Sequence, residues 1–136
     1  MKNRWAFKIV AAAAGAVGLT SLVGSPAQAA NPPYSGCTNG GLCLYQDANG
    51  AGSKTILFGY SGTFWNFSNV YFYNGVNAND QVSSVWNRTP YCAVLYRNYN
   101  ADGDTAWAGP GQKLDFGFGT QAWFNDITSS VRLTNC

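Results

Sequence analysis

The chain has 136 residues, eight Lys or Arg against six acidic residues and no histidine, with 46% hydrophobic and only 10% charged positions. All six acidic residues are aspartates, and without imidazole a Ser or Cys nucleophile has no His base to activate it. The net charge of +2 is too small for the basic footprint that nucleic acid requires.

Residues 1–30 read as an export signal. "MKNRWAFK" is a basic head, "IVAAAAGAVGLTSLVG" an apolar stretch and "SPAQAA" a small-residue cleavage site, with cleavage expected after Ala29 or Ala30. The apolar stretch is short and rich in Gly and Ala for a membrane span, and none of that length follows it. The mature protein is therefore expected to be secreted, extracellular and free of the membrane. Its basic residues are Lys54, Arg88, Arg97, Lys113 and Arg132, against Asp47, Asp80, Asp102, Asp104, Asp115 and Asp126. One more acidic than basic charge remains, so the positive balance belongs to the signal. Residues 31–136 suffice for a single domain, expected as a monomer.

All four cysteines, Cys37, Cys43, Cys92 and Cys136, lie in the mature part. An even count in an exported chain argues for two disulfides. Three pairings are open to four cysteines. The expected one joins Cys37 to Cys43 across a tight N-terminal loop and leaves Cys92 to tie the second half's first strand to Cys136. Zinc is the competing use, but histidine and paired C-x-x-C knuckles are both missing.

In chain order the mature part gives "LCLYQD", "KTILFGY", "TFWNF", "SSVWN", "CAVLYRN", "TAWAG" and "SSVRL". These short runs of aromatic and β-branched residues, punctuated by Gly and Asn, predict an all-β fold with tight turns. The runs repeat. "CLYQDANGAG" returns as "AVLYRNYNADG", "GTFWNF" as "GQKLDF", and "NDQVSSV" as "NDITSSV". The spacing between copies shrinks along the chain, placing extra residues of the first copy within "SNVYFYNGVNA". Two copies of about four strands predict one pseudo-symmetric unit, since a single copy is too small for a core.

Tyr45 with Gly52, and Tyr96 with Gly103, resemble the Tyr-x-x-x-x-aromatic-x-Gly hairpin of β/γ-crystallin Greek keys. The paired Asn-Asp-x-x-(Ser/Thr)-Ser segments resemble that superfamily's calcium motif. The resemblance implies a disulfide-stapled β-sandwich of two Greek keys, about 37–89 and 90–136. The hairpin's middle aromatic is replaced by Gly50 and Ala101, with nearby Tyr99 or Phe58 as the expected substitute. Among crystallin-like proteins, the signal, the cysteines and the opening "C-x-x-x-x-x-C-L-Y" are similar to the bacterial secreted metalloproteinase-inhibitor family. Small secreted crystallin-like toxins are also similar.

Calcium takes hard oxygen ligands. "NDQVSS" offers the Asp80 carboxylate, the Gln81 carbonyl and the Ser83 hydroxyl beside Asn79. "NDITSS" offers Asp126, the Ile127 carbonyl and Ser129, flanked by Asn125. By the resemblance, each loop is completed by a carbonyl from the other copy's hairpin, near Asn49 and near Asp102. One carboxylate per site predicts weak binding. The same residues also form Asx-turns and caps without a metal, Thr128 included.

Asp102 and Asp104 flank Gly103 but read as solvated hairpin residues rather than an acid–base pair. Inhibition of an extracellular peptidase needs a rigid, substrate-like segment, whose preorganisation supplies affinity. "CTNGGLC" offers Gly41 and Leu42, and "PYCAVLY" offers Cys92, Ala93 and Val94, each beside an expected disulfide. Both also read as strand edges next to a staple. The alternative function is a calcium-binding module with a structural or toxin-like role. A third is glycan binding through exposed aromatics, with "VYFY" (Val70–Tyr73) as the segment to inspect.

Overall fold

Alternation sets the sandwich. In the computed structural model, which describes residues 32–136, strand β1 (Gly41–Tyr45) turns Leu42 and Leu44 into the core and Cys43 and Tyr45 the other way. The expected export signal, 1–30, lies outside the described residues.

The other strands of the first copy are β2 (Lys54–Phe58), β3 (Phe64–Asn66) and β4 (Ser84–Asn87). The second copy gives β5 (Cys92–Asn98), β6 (Asp102–Ala108), β7 (Lys113–Asp115) and β8 (Ser130–Thr134). They form two antiparallel four-stranded sheets, β2-β1-β4-β7 and β3-β8-β5-β6. Each copy thus lends its third strand to the other copy's sheet, and neither half closes its core alone. The expected all-β, doubled Greek-key sandwich is the observed fold.

Between the sheets lie Leu42, Leu44, Val85 and Leu114 from one side and Ala93, Leu95, Ala106, Val131 and Leu133 from the other. Phe67, Phe72, Phe116 and Phe124, all but sealed from solvent, complete the same core. Both disulfides are as expected: Cys37–Cys43, and Cys92–Cys136, which ties β5 to the residues after β8.

The inserted residues of the first copy lie between β3 and β4. There Tyr73 N–H donates to Lys54 O at 2.9 Å and Asn74 N–H to Ser53 Oγ at 3.1 Å, so the insertion covers the open edge of β2. "VYFY" alternates, with Val70 and Phe72 buried and Tyr71 and Tyr73 exposed.

One expectation is corrected. Phe58 and Tyr99 do not replace the missing hairpin aromatic, since they are 59% and 42% exposed. In the first copy Tyr34 does so: its ring packs edge-on against Tyr45 at 5.4 Å, and its N–H donates to Gly50 O. A methyl on Gly50 would stand 2.6 Å from Tyr34 Cα, which is why this hairpin carries glycine there. Residues 32–37 thereby lie as a strap across the outer face of the first sheet, held by Cys37–Cys43 and sealing Cys43 and Tyr45.

Candidate functional site

The twin polar segments sit side by side and share their work. Asp80 and Asp126 adopt left-handed φ of 53° and 54°, turning the chain sharply between buried Ala78 and Val82 in one loop and buried Phe124 and Thr128 in the other. Asp80 N–H donates to Thr128 O at 3.0 Å and Asp126 N–H to Val82 O at 3.2 Å, so each loop is pinned by the other.

The side chains cross as well. Ser83 Oγ donates to Asp126 Oδ1 at 2.9 Å, and Ser129 Oγ to Asp80 Oδ1 at 3.1 Å. The sequence grouping placed Asp80 with Ser83 and Asp126 with Ser129, each within one loop. That grouping is corrected: each aspartate meets the serine of the opposite copy. The cause is the strand exchange between sheets, which brings the start of one segment beside the end of the other. Asn79 Nδ2 donates to Asp80 Oδ2 and Asn125 Nδ2 to Asp126 Oδ2, at 3.1 and 2.8 Å.

Ser84 and Ser130, which the sequence reading passed over, explain the doubled serine. Both are fully buried. Ser84 Oγ donates to Asp47 O at 2.6 Å and accepts from Gly50 N–H at 2.8 Å. Ser130 Oγ repeats this with Asn98 O and Ala101 N–H. The final serine thus locks its own hairpin while the one before it reaches across. The signal was present in the repeated "SS", but nothing in one dimension shows that the two hydroxyls point to different copies.

An open cavity of about 400 Å³ lies here, lined by Asn79, Asp80, Arg97, Asn98, Tyr99, Asp126, Ile127 and Ser129. The hairpin near Asp102 reaches it through Arg97, Asn98 and Tyr99, while Asp102 itself is engaged by Asn98 Nδ2 at 3.0 Å. The donor set suits a hard cation: two carboxylates, two hydroxyls, and the carbonyls of Gln81 and Ile127, which accept no hydrogen bond among the described residues. Asn79 Oδ1, Asn125 Oδ1 and Thr128 Oγ1 are buried without a partner. Among the described residues no three Asp, Glu, His or Cys side chains cluster, so few charges face any ion held here.

The five candidate inhibitory residues are placed elsewhere, and the structure corrects them. Gly41 and Leu42 belong to β1, which pairs with β2 on one side and β4 on the other. Cys92, Ala93 and Val94 belong to β5, central between β6 and β8. Leu42 and Ala93 are fully buried and Val94 is 2% exposed. Entering a peptidase cleft would require unzipping a central strand, so these residues act as core.

Exposed aromatic surface lies instead at Phe58, Tyr60, Tyr71, Tyr73, Trp107, Phe118 and Trp123. Asp104 pairs with Arg97 at 3.2 Å across the β5–β6 hairpin, with both side chains more than half exposed.

Against known proteins, the model of peptidase inhibitor family I36 matches residues 30–108, more than half the chain. No curated protein matches. Several solved structures share the fold. One, solved in tracing the evolution of the eye lens βγ-crystallin domain fold, is 23% identical and covers 75% of this chain and 93% of its own, with a TM-score of 0.58. A βγ-crystallin domain from Flavobacterium johnsoniae is 27% identical, with 69% and 93% covered and a TM-score of 0.51. Another from Clostridium beijerinckii is 20% identical, with 69% and 97% covered and a TM-score of 0.51.

Proposed function

The chain belongs to peptidase inhibitor family I36, and from that premise we propose that it is exported and blocks an extracellular metallopeptidase. The family match over residues 30–108 carries the reading. The scaffold supports it physically: two four-stranded sheets, one tied to the strap by Cys37–Cys43 and the other closed at its end by Cys92–Cys136, present their surface with little freedom to lose on binding. Two disulfides with no free cysteine among the described residues suit an oxidising, extracellular setting. Among those residues no helix is long and apolar enough to cross a membrane.

With Gly41, Leu42, Cys92, Ala93 and Val94 in central strands, the contact with a peptidase falls to exposed elements that these strands hold in place. The test is a panel of secreted metallo- and serine peptidases titrated with the mature chain. Tight, saturable loss of metallopeptidase activity alone is expected. Loss confined to serine peptidases would overturn the target class.

Calcium binding at the twin loops is a second reading, favoured by the crossed Ser–Asp pairs and the open carbonyls of Gln81 and Ile127. Asp80 with Ser129 would form one site and Asp126 with Ser83 the other. An ion there would replace two hydroxyl–carboxylate hydrogen bonds with metal–oxygen bonds and lock the two copies together.

A further inference from the structure

The duplication allows the two outer faces to be compared position by position. Across the first sheet, Ile56, Cys43, Trp86 and Lys113 stand in one row, paired strand to strand. Across the second, the matching row is Trp107, Val94, Arg132 and Phe64. Both rows place a cation beside an aromatic ring. Lys113 Nζ lies 4.5 Å from the Trp86 ring centroid, and Arg132 Cζ 5.8 Å from that of Phe64.

The first row is covered. The strap lays Tyr34 over it, with Lys113 Nζ 4.9 Å from the Tyr34 ring and Trp86 edge-on at 6.4 Å. Arg88 anchors the strap's end by donating from Nη1 to Cys37 O at 2.6 Å. Among the described residues no strap crosses the second row, although Val94 within it is only 2% exposed. Trp107 is 53% exposed and Arg132 is exposed. Arg132 makes no ion pair or side-chain hydrogen bond among the described residues, unlike Arg97 and Arg88. A guanidinium with all its donors free, beside the Phe64 ring, is chemically complementary to a backbone carbonyl or carboxylate next to an aromatic side chain.

We propose that this second face, where Phe64, Arg132 and Trp107 surround the buried Val94, is where the chain grips the peptidase it inhibits, taking an extended peptide segment whose aromatic side chain lies on Arg132 and Phe64 as Tyr34 lies on Lys113 and Trp86. The proposal rests on the inhibitor reading and names that reading's contact surface. Arg132 supplies the hydrogen bonds that hold the segment's backbone, the part Arg88 plays for the strap. Trp107 supplies apolar area and forms one wall. The bound segment passes beside Ala101 rather than over it, because Ala101 carries a methyl where Gly50 leaves room for the strap. Trp and Arg are the residue types that dominate binding at such contacts.

The experiment compares inhibition of a thermolysin-class metallopeptidase by the native chain, Arg132→Glu, Trp107→Ala and, as a control on another exposed aromatic, Tyr73→Ala. Melting of each variant is recorded beside it. The charge reversal at exposed Arg132 keeps the fold measurable even if Trp107→Ala loosens the packing on Val94. Weakening by roughly 30-fold or more is expected for Arg132→Glu and Trp107→Ala, with Tyr73→Ala unchanged. Native-like inhibition by Arg132→Glu overturns the proposal and leaves the inhibitor reading standing. No inhibition by the native chain removes both. Inhibition unaffected by Trp107→Ala, together with soluble chitin or cellulose oligosaccharides quenching Trp107, assigns the face to glycan and overturns the proposal.

Discussion

Substituting Gly50 by alanine tests the strap directly. Gly50 sits at φ 65°, and an added methyl would stand 2.6 Å from Tyr34 Cα. Holding an L-residue left-handed costs about 1 kcal/mol. Forcing the methyl against Tyr34 adds about 1–3 kcal/mol, since it meets backbone that must shift rather than a side chain that can rotate. The expected total is about 2–4 kcal/mol. The equivalent position of the second copy is the control: Ala101 already carries its methyl at φ 57°, and no strap lies on it. Ala101→Gly should change stability by less than about 1 kcal/mol. Urea unfolding with both disulfides intact reads the difference as a midpoint lowered by about 1 M or more for Gly50→Ala, at unchanged slope. A midpoint like that of the native chain would refute the packing of Tyr34 on Gly50, and with it the comparison of the two faces.

Other outcomes follow from the same structure. Burial, then the neighbouring Tyr34, pushes the Tyr45 phenol from 10.0 up to about 12, and burial followed by Asp115 raises Tyr34. The folded state therefore keeps these protons longer than the unfolded chain. Their contribution is fully present below pH 10.0 and is lost as pH rises through about 12, so melting temperature should hold and then fall across that window. Tyr34→Phe should make the fall shallower, as measured by melting at successive pH values. Calcium at about 100 times its Kd should stabilise the native chain by about 2.7 kcal/mol for each site filled, with the gain abolished in the Asp80→Asn, Asp126→Asn double variant. Identical melting in millimolar calcium and in chelator would remove the metal reading. Leu42→Ala should cost about 2–5 kcal/mol of stability while leaving inhibition per folded molecule intact; selective loss of inhibition would restore Leu42 as a contact residue.

The sequence carried the fold because duplication is a one-dimensional signal. Tyr45 and Gly52, echoed by Tyr96 and Gly103, mark both hairpins, and the strands fall where the repeated runs lie. The cysteine count made two disulfides legible, but three pairings stayed open in the sequence, and the structure decides for Cys37–Cys43 and Cys92–Cys136. The crossing of the twin loops was not, since β3 and β7 exchange sheets and local spacing cannot report which copy a serine faces. Leu42 and Val94 misled for a related reason. A cysteine-flanked apolar residue reads the same at an exposed loop as in a central strand, and only pairing on both sides decides between them. Tyr34 was missed because it precedes the first strand and lies within no repeat, so its contact with Gly50 exists only in three dimensions.

The central claim, that this chain inhibits a metallopeptidase, is tested most directly by titrating a known concentration of a thermolysin-class enzyme with the mature protein. Activity should fall linearly to a sharp end point near one inhibitor per enzyme. Full activity at a large molar excess of folded, disulfide-bonded protein would contradict the claim.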